Sequence, residues 1–359
     1  MLQIVNLTPF SAALSVFPDA AGVETAYAVV KATFAIGAGG PEPASPQLPL
    51  LPGDVFWGDP VASSLRAAGE FGLLKPATDV LLTGRAVAPA PDTRVADVSL
   101  SVGAVNRRVR VFGNRHWQRA GGGWRASAPE PWQRMPLRWE LAFGGVAPAA
   151  PGEAAEYEAR NPVGRGLVAR HAQPAPDQPL PNLEDPQQLL NEPHDRPVPA
   201  CFAPIAPTWM PRRAHAGTYD EAWTRGRAPY LPLDFDARFF QVAPPELVAP
   251  SCLQGGEAVR LVGFSAGGAI EFALPEVGLE LQVDFNGAQT PCRPQLELVL
   301  FEPDAGRFQM LWRAAWPVDK WLLKLKAVTV RSPRYGFDRP AALPLRERVQ
   351  PSPTFAPGT

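Results

Sequence analysis

The sequence is poor in the residues that mark several classes of protein. Among its 359 residues only five are lysine, four are histidine and three are cysteine. The cysteines (Cys201, Cys252 and Cys292) are odd in number, far apart in the chain and without CxxC spacing. Because a disulfide framework needs paired cysteines and a thiolate zinc site needs closely spaced ones, the sequence argues against both.

Charge and long apolar runs are also scarce. Charged residues make up 19% of the chain, the net charge is −1 and the sequence pI is about 6.5. Such a chain has no basic field to attract nucleic acid or an anionic membrane. No apolar run approaches the roughly 18 residues of a membrane helix. The first residues carry no basic leader and are broken by Pro9 and Pro18, so we expect a cytoplasmic protein.

The motifs of common cofactor and catalytic sites are missing as well. No GxxxxGK(S/T) phosphate loop occurs, and the glycines Gly37, Gly39 and Gly40 are followed by Pro41 rather than by a helix. The four histidines have no local metal-ligand spacing, and no GxSxG nucleophile elbow is found. We therefore expect no cofactor, no metal and no catalytic residue, and we do not expect an enzyme.

Proline and glycine, in contrast, are abundant. The chain holds 44 prolines and 31 glycines beside 46% hydrophobic residues. This hydrophobic content supports a packed core, but proline interrupts helices because it lacks a backbone donor. The composition predicts a mainly β fold, with antiparallel β-sandwich-like sheets from the N- and C-terminal parts and a long, ordered, proline-rich irregular central segment. We predict one composite domain with boundaries at 1–146, 147–256, 257–340 and a tail at 341–359.

Period-two patterns and β-branched residues predict strands in both terminal parts. The predicted N-terminal strands are Thr25–Ile36, Asp79–Val87, Val95–Val102, Arg107–Phe112 and Pro136–Phe143. The predicted C-terminal strands are Ala258–Phe264, Ala269–Ala273, Gly278–Phe285, Gln295–Phe301, Arg307–Ala315 and Leu322–Val330. A turn is predicted at Gly121–Gly123, where positive φ angles are needed.

The central segment has a different composition. It carries 19 prolines between Pro148 and Pro250, and only two short stretches, Asp185–Asn191 and Tyr219–Thr224, have a helical pattern. Its many tryptophans, tyrosines and phenylalanines argue against disorder, because disordered segments are poor in aromatic residues. We interpret it as irregular chain packed across the strands.

Short motifs spread along the chain resemble those of a bacterial family known as domain of unknown function 2169. The resemblance covers about residues 1–300, with the motifs in the same order throughout. The matching strings are NLTPF (Asn6–Phe10), VVKATF (Val29–Phe34), KPATDVLLTGRAVAP (Lys75–Pro89), FGNRHW (Phe112–Trp117), MPLRWELAFGG (Met135–Gly145), NPVGRG (Asn161–Gly166), LPNLE (Leu180–Glu184), WMPRR (Trp209–Arg213), GTYDEAW (Gly217–Trp223) and RAPYLPLDFDARFF (Arg227–Phe240).

The resemblance implies a binding role rather than catalysis. Members of that family act as adaptors that bind a type VI secretion effector protein in the cytoplasm and help to load it onto the valine–glycine repeat spike protein. No catalytic residue is carried over from the family. The oligomeric state of the chain stays open.

The motif residues mix charged side chains with aromatic ones, and we expect two roles for them. A polar network should hold the irregular segment in place, because arginine–carboxylate pairs can fix backbone that has no inter-strand hydrogen bonds. Its expected members are Arg115, Glu140, Asn161, Asn182, Glu184, Asp234 and Asp236. Interface anchors are usually aromatic residues and arginine. The expected partner-binding residues are Trp209, Arg212, Arg213, Trp223, Arg225 and Arg238; addition of a partner strand to an exposed sheet edge is a second possibility.

Two alternatives to the adaptor remain open at the level of sequence. The first is a carbohydrate-binding β-sandwich, in which tryptophans stack on sugar rings and loop aspartates bind hydroxyls. The second is a glycoside hydrolase that pairs Glu140 with Asp234 or Asp236, which requires carboxyl groups roughly 5 to 9.5 Å apart in an open cleft.

Overall fold

The computed structural model describes residues 3–37, 39–147 and 154–336. The predicted tail at 341–359 therefore lies outside the described residues. The N-terminal strands are β1 (Gln3–Asn6), β2 (Ser11–Pro18), β3 (Glu24–Gly37), β4 (Gly40–Pro43), β5 (Val55–Phe56), β6 (Leu65–Ala67), β7 (Asp79–Leu82), β8 (Arg85–Val87), β9 (Val95–Val102), β10 (Val105–Phe112), β11 (Trp117–Ala120), β12 (Gly123–Ala126), β13 (Arg134–Pro136), β14 (Phe143–Gly144) and β15 (Val146–Ala147).

The central segment has short elements and the C-terminal part returns to strands. The central strands are β16 (Glu156–Tyr157), β17 (Arg165–Gly166) and β18 (Leu183–Glu184), and the helix α1 spans Glu221–Gly226. The C-terminal strands are β19 (Ala258–Val262), β20 (Ile270–Ala273), β21 (Glu280–Phe285), β22 (Ala288–Cys292), β23 (Gln295–Glu302), β24 (Arg307–Pro317) and β25 (Leu325–Arg331). Single 3-10 turns lie at Trp139–Leu141, Arg212–His215, Ala237–Phe240, Pro245–Leu247, Pro303–Ala305 and Asp319–Lys324.

Strands from both terminal parts share the same sheets. The largest sheet has the order β2-β3-β24-β23-β7, and β4 also pairs with β3. A second sheet has the order β18-β10-β9-β19-β20, and a third has the order β1-β25-β21-β22. Most pairs are antiparallel, although β7 pairs with β23 and β1 with β25 in parallel. The mainly β fold predicted from composition is confirmed.

One face of the largest sheet is apolar. Phe34 on β3 stacks on Phe308 of β24 with ring centroids 5.3 Å apart. Phe272, from β20 of the second sheet, stacks on Phe308 at 5.1 Å and contacts Phe301 at 6.2 Å. The two sheets therefore meet through a layer of aromatic and aliphatic side chains, and burying this apolar surface stabilises the fold.

The opposite face of the same sheet carries charges. Lys31 pairs in register with Leu311, and Thr33 pairs with Gln309, so these side chains share the face that Phe34 and Phe308 do not use. Irregular chain covers this face: the Thr33 hydroxyl accepts a hydrogen bond from the Leu48 amide at 3.2 Å. The sheet thus separates an apolar layer from a polar one.

Two local predictions are wrong. The stretch Pro136–Phe143 is not a strand, because the chain turns through the 3-10 helix Trp139–Leu141 between β13 and β14. The stretch Asp185–Asn191 is not a helix: an Asp185 carboxylate oxygen accepts a hydrogen bond from the Gln187 amide (2.8 Å), and Asp185 bridges to Gln188 in a tight turn. The other predicted helix exists as α1, displaced by two residues.

Across the part of the chain that the structure describes, no helix has the length and apolarity to cross a membrane.

Candidate interaction surface

All six predicted partner-binding residues lie in an irregular lobe formed by residues 209–240, here called the central lobe. Short turns anchored by carboxylates hold it together. Asp220 caps α1 by accepting the Trp223 amide at 2.8 Å. Asp234 accepts the Thr218 amide at 2.9 Å and the Thr218 hydroxyl at 2.7 Å. These bonds give the lobe a defined shape although it has almost no regular ladder.

The base of the central lobe is buried. Trp209 is only 4% exposed and meets Trp139 edge to face, with ring centroids 6.3 Å apart. Arg212 is 6% exposed; its guanidinium donates to the carbonyls of Ile205 at 2.6 Å and Phe239 at 2.9 Å. Burial lowers the pKa of Arg212 to about 10, so it is protonated at neutral pH. Neither Trp209 nor Arg212 has a side chain that a partner could reach in this conformation.

The predicted arginines Arg213, Arg225 and Arg238 are exposed. Arg225 forms an ion pair with Glu221 one helical turn away, and both side chains are 76% exposed. Arg238 pairs with the carboxylate of Asp236, which also accepts the Arg238 amide at 2.8 Å. Because exposed pairs of this kind contribute little to stability, the arginine heads can exchange these partners for groups of another protein.

Trp223 is partly buried and organises the upper part of the lobe. Its indole nitrogen donates to the Tyr230 carbonyl at 2.8 Å, and its ring meets Tyr219 with centroids 4.7 Å apart. Arg227 donates to the carbonyls of Leu231 at 2.8 Å and Ala20 at 2.9 Å. The lobe is thereby tied to the turn between β2 and β3.

The central lobe also exposes apolar side chains that sequence reasoning missed. Ten large hydrophobic side chains are exposed among the described residues, and four of them lie between positions 210 and 233. Their exposed fractions are 37% for Met210, 54% for Tyr219, 40% for Tyr230 and 87% for Leu233. Scattered apolar residues need no explanation, but their concentration in one short ordered segment makes the lobe a candidate contact surface.

The predicted polar network falls into three separate groups. In the first, Arg115 pairs with Glu184 and donates to the Pro181 carbonyl at 2.8 Å, while Glu184 accepts the Leu190 amide at 2.8 Å. Burial raises the pKa of Glu184, and the Arg115 charge opposes this shift. Both side chains are buried, so the pair joins the end of β10 to the irregular chain after β18.

The second group surrounds the 3-10 turn at Trp139–Leu141. Glu140 accepts the Ser64 amide at 2.7 Å and the Ser64 hydroxyl at 2.8 Å. Asn161 donates to the carbonyls of Trp139 and Phe143 at 2.8 and 2.9 Å. Arg165 donates to the Glu140 carbonyl at 2.9 Å and to the Asn182 side chain at 3.3 Å. Hydrogen bonds thus bring Glu140 and Asn182 together through Arg165.

The remaining predicted carboxylates, Asp234 and Asp236, serve the central lobe. Hydrogen bonds from Thr218 lower the pKa of Asp234, and the hydrogen bond from Arg238 lowers the pKa of Asp236. A general acid needs a raised pKa, so neither carboxyl suits that role. Glu140 is engaged with Ser64 in a separate set of bonds. Burial raises the pKa of the Cys201 thiol to about 12, which makes it inert at neutral pH.

Two further features bear on the alternatives. Within residues 3–37, 39–147 and 154–336, no group of three or more histidines, cysteines and carboxylates is placed to hold a metal. None of the tryptophan side chains that the structure describes is among the exposed ones, whereas stacking on a sugar ring needs an accessible indole face.

A buried chain of charges beneath the largest sheet also escaped sequence reasoning. Lys31 binds both carboxylate oxygens of Glu70 (2.7 and 2.8 Å), and the Glu70 carbonyl accepts from Arg313 at 2.9 Å. Arg313 binds Glu297 at 2.7 Å, and Lys75 binds Asp79 at 2.7 Å. The signal was present: Lys31, Glu297 and Arg313 each stand alone inside an apolar run of a strand.

Asp79 links this charged layer to the central lobe. Its carboxylate accepts the backbone amides of Val242 at 2.9 Å and Ala243 at 3.3 Å, directly after the lobe ends. Gly72 lies beneath Phe240, and a side-chain carbon at that position would come within 2.6 Å of the ring. The end of the lobe is therefore fixed to the sheet by a buried carboxylate and a close ring contact.

Comparison with known proteins gives one result. A family model described as an uncharacterized protein conserved in bacteria, domain of unknown function 2169, matches residues 21–313. The match begins in the turn before β3, includes the whole central lobe and ends within β24. No curated protein and no solved structure matches the chain.

Proposed function

We propose that this chain, which belongs to the family of domain of unknown function 2169, is a cytoplasmic adaptor that binds a type VI secretion effector protein and helps to load it onto the spike protein. The family is described as uncharacterized, so the effector and the spike enter the proposal from the resemblance of the motifs. The binding role draws its physical support from the central lobe.

The observation that carries the proposal is the concentration of exposed apolar side chains in one ordered lobe. Tyr219, Tyr230 and Met210 belong to residue types that are enriched in protein interfaces, and exposed Arg213 and Arg238 lie in the same segment. The lobe is held by buried bonds at its base, so its surface is largely preformed. A preformed surface loses little conformational entropy on binding, which favours affinity.

The surroundings of the carboxylates and of Cys201 support binding rather than catalysis. The carboxylates that a hydrolase would need are each occupied by local donors. The one cysteine that is fully buried has a raised pKa. These features support an adaptor over the carboxylate-based alternative.

A matched pair of substitutions tests the role of the central lobe. Leu233 and Leu323 are both 87% exposed, but only Leu233 lies in the lobe. Each is replaced by aspartate, and the tagged protein is purified from cells that express its native operon. We expect Leu233→Asp to reduce effector recovery at least about tenfold, because it places a charge in an apolar contact, whereas Leu323→Asp leaves recovery at the wild-type level.

Three results would contradict the proposal. Wild-type protein that recovers no product of a neighbouring gene would remove the adaptor role. Equal recovery by both variants would show that the effector is held elsewhere. Turnover of a polysaccharide by the purified wild-type protein would favour the hydrolase.

A further inference from the structure

A cavity of about 280 Å³ lies over the charged face of the largest sheet. Its floor is formed by side chains of β3, β7, β23 and β24, including Lys31 and Gln309. Its roof is the irregular chain that runs from Leu48 through the β5–β6 hairpin to Ala68. Both apolar and charged side chains line the cavity, and no function has been assigned to it above.

The walls of the cavity are mainly aliphatic. Five leucines line it: Leu48, Leu51, Leu81, Leu298 and Leu300. Its volume lies slightly below the roughly 300–1,000 Å³ of pockets that hold whole small molecules. The space suits one large apolar side chain rather than a complete cofactor. Val55 at the rim is 37% exposed, so the cavity can be reached from solvent.

The charges around the cavity do not balance. Its lining includes three cations, Lys31, Arg66 and Arg307, and two carboxylates, Glu70 and Glu302. Lys31 is paired with Glu70 at 2.7 Å, and Arg307 is paired with Glu302 at 2.8 Å. The surplus positive charge belongs to Arg66.

Of the three cations that line the cavity, Arg66 is the one available to bind a ligand. Its guanidinium is exposed and has neither a hydrogen-bond acceptor nor a carboxylate among the described residues. It rests over the Trp57 ring at 5.0 Å, which orients it beside the cavity. Arg138 lies over the same ring at 3.6 Å, on the side of the hairpin where Glu140 also lies. An apolar cavity with an oriented, unpaired arginine at its rim is complementary to an apolar group next to an anion.

We propose that this cavity binds a large apolar side chain of a partner polypeptide, with a carboxylate beside it in the sequence held by Arg66. The site deepens the proposed function, on which it rests, because it specifies an acidic–hydrophobic segment of the partner. The five leucines bury the apolar group and the guanidinium fork binds the carboxylate. A lysine in place of the acidic residue is repelled by Arg66.

The probe is an acetylated, amidated pentapeptide with a central leucine between two aspartates. It is titrated into full-length protein with ¹³C-labelled leucine methyl groups, whose signals report on the five leucines of the cavity. A second peptide has lysines in place of the aspartates, and isovalerate serves as a free branched carboxylate. Two variants test the site: Arg66→Gln removes the cation, and Ala68→Leu fills the cavity. Arg125→Gln is the control, because Arg125 is also exposed on a short hairpin and has no acceptor among the described residues.

We expect the acidic peptide to shift the cavity leucine signals saturably, and the lysine peptide to bind at least about tenfold more weakly. Arg66→Gln should weaken the acidic peptide about fivefold, in line with a partly exposed ion pair. Ala68→Leu should abolish the shifts and Arg125→Gln should leave them unchanged. Retained folding of the variants is checked by the dispersion of the remaining methyl signals.

The proposal is overturned if the leucine signals do not move at several millimolar acidic peptide, or if both peptides shift them equally. It is also overturned if isovalerate saturates the cavity more tightly than the peptide, since the site would then serve a small carboxylate. A negative peptide result together with normal effector recovery by wild-type protein would discard this site alone and leave the adaptor role standing.

Discussion

Lys31 and Glu70 form a buried ion pair in which one ammonium binds both oxygens of one carboxylate, at 2.7 and 2.8 Å. Their side chains are 2% and 4% exposed. The pair joins the middle of β3 to the chain that covers the charged face, because Glu70 also accepts the Leu51 amide at 2.8 Å. The covering chain is thereby fixed to the sheet at a defined point.

Removal of Lys31 alone should lower the stability of the fold. In Lys31→Met, Glu70 keeps its buried carboxylate but loses its counterion, so we expect the free energy of unfolding to fall by about 3–5 kcal/mol. The double variant Lys31→Met/Glu70→Gln should recover a large part of this loss, because the amide is neutral and can still accept the Leu51 amide. Urea denaturation of the three proteins measures both effects, and a single variant as stable as wild type would show that the pair is dispensable.

The same variant should show a defined pH dependence. Burial raises the pKa of Glu70 above its ordinary value of 4.5, and Lys31 opposes that shift. Without Lys31 the folded-state pKa rises further, so the fold favours the protonated acid. A raised folded-state pKa stabilises below the unfolded value and loses this contribution as pH rises. Both proteins share the loss that begins at the unfolded-state pKa, so the instability of Lys31→Met relative to wild type should grow as the pH rises above the folded-state pKa of wild-type Glu70, which itself lies above 4.5. Urea midpoints measured from acid to neutral pH test this, and an unchanged difference would contradict the prediction.

Gly72 should be required for docking of the central lobe. In Gly72→Ala the new carbon would meet Phe240 at 2.6 Å, so the ring must move, and we expect a loss of about 1–3 kcal/mol from overpacking. Gly123→Ala is the control, because nothing lies within 4 Å of the carbon added there. Thermal melting compares the two, and the double variant Gly72→Ala/Phe240→Leu should restore part of the loss. Equal melting of both single variants would mean that Phe240 adapts freely.

Substitutions of Trp223 and Arg225 should distinguish residues that maintain the structure of the central lobe from residues that contact the effector. Trp223→Ala removes the bond to the Tyr230 carbonyl and the contact with Tyr219, so we expect proteolysis within the lobe and weaker effector recovery together. Arg225→Ala removes an exposed pair worth about 0.3–0.5 kcal/mol, so it should weaken recovery without changing the melting temperature by more than a few degrees. If Arg225→Ala leaves recovery unchanged, that side chain makes no contact with the effector.

Local patterns predicted the strands well because neighbouring residues decide them. Val95–Val102 was predicted with its observed bounds, and Thr25–Ile36 lies within the observed Glu24–Gly37. The break in Asp79–Val87 was not predicted: Gly84 takes a φ of 155° between β7 and β8. A single flexible residue decides that break, and its conformation depends on packing that the pattern does not contain.

Side-chain partners were harder to predict because they come from distant parts of the chain. Arginine is a residue type common at interfaces, and Arg212 was predicted to contact a partner. Its guanidinium instead donates hydrogen bonds to the carbonyls of Ile205 and Phe239, which irregular chain brings together. Leu233 lies between Pro232 and Asp234, and nothing in that sequence signals its exposure. In irregular chain no period relates a residue to the face that it occupies, so burial there follows from tertiary contacts alone.

The pairing of β3 with β24 determines when this protein can fold. It joins residues near position 30 to residues near position 312, so the contact order of the largest sheet is high and its folding is slow. At a synthesis rate of about 5–20 residues per second, β3 waits roughly 14 to 56 s on the ribosome for its partner strand. Throughout that interval its apolar face has no sheet to cover it. A protein proposed to bind and deliver another thus passes through a long period during translation in which its own largest sheet is incomplete.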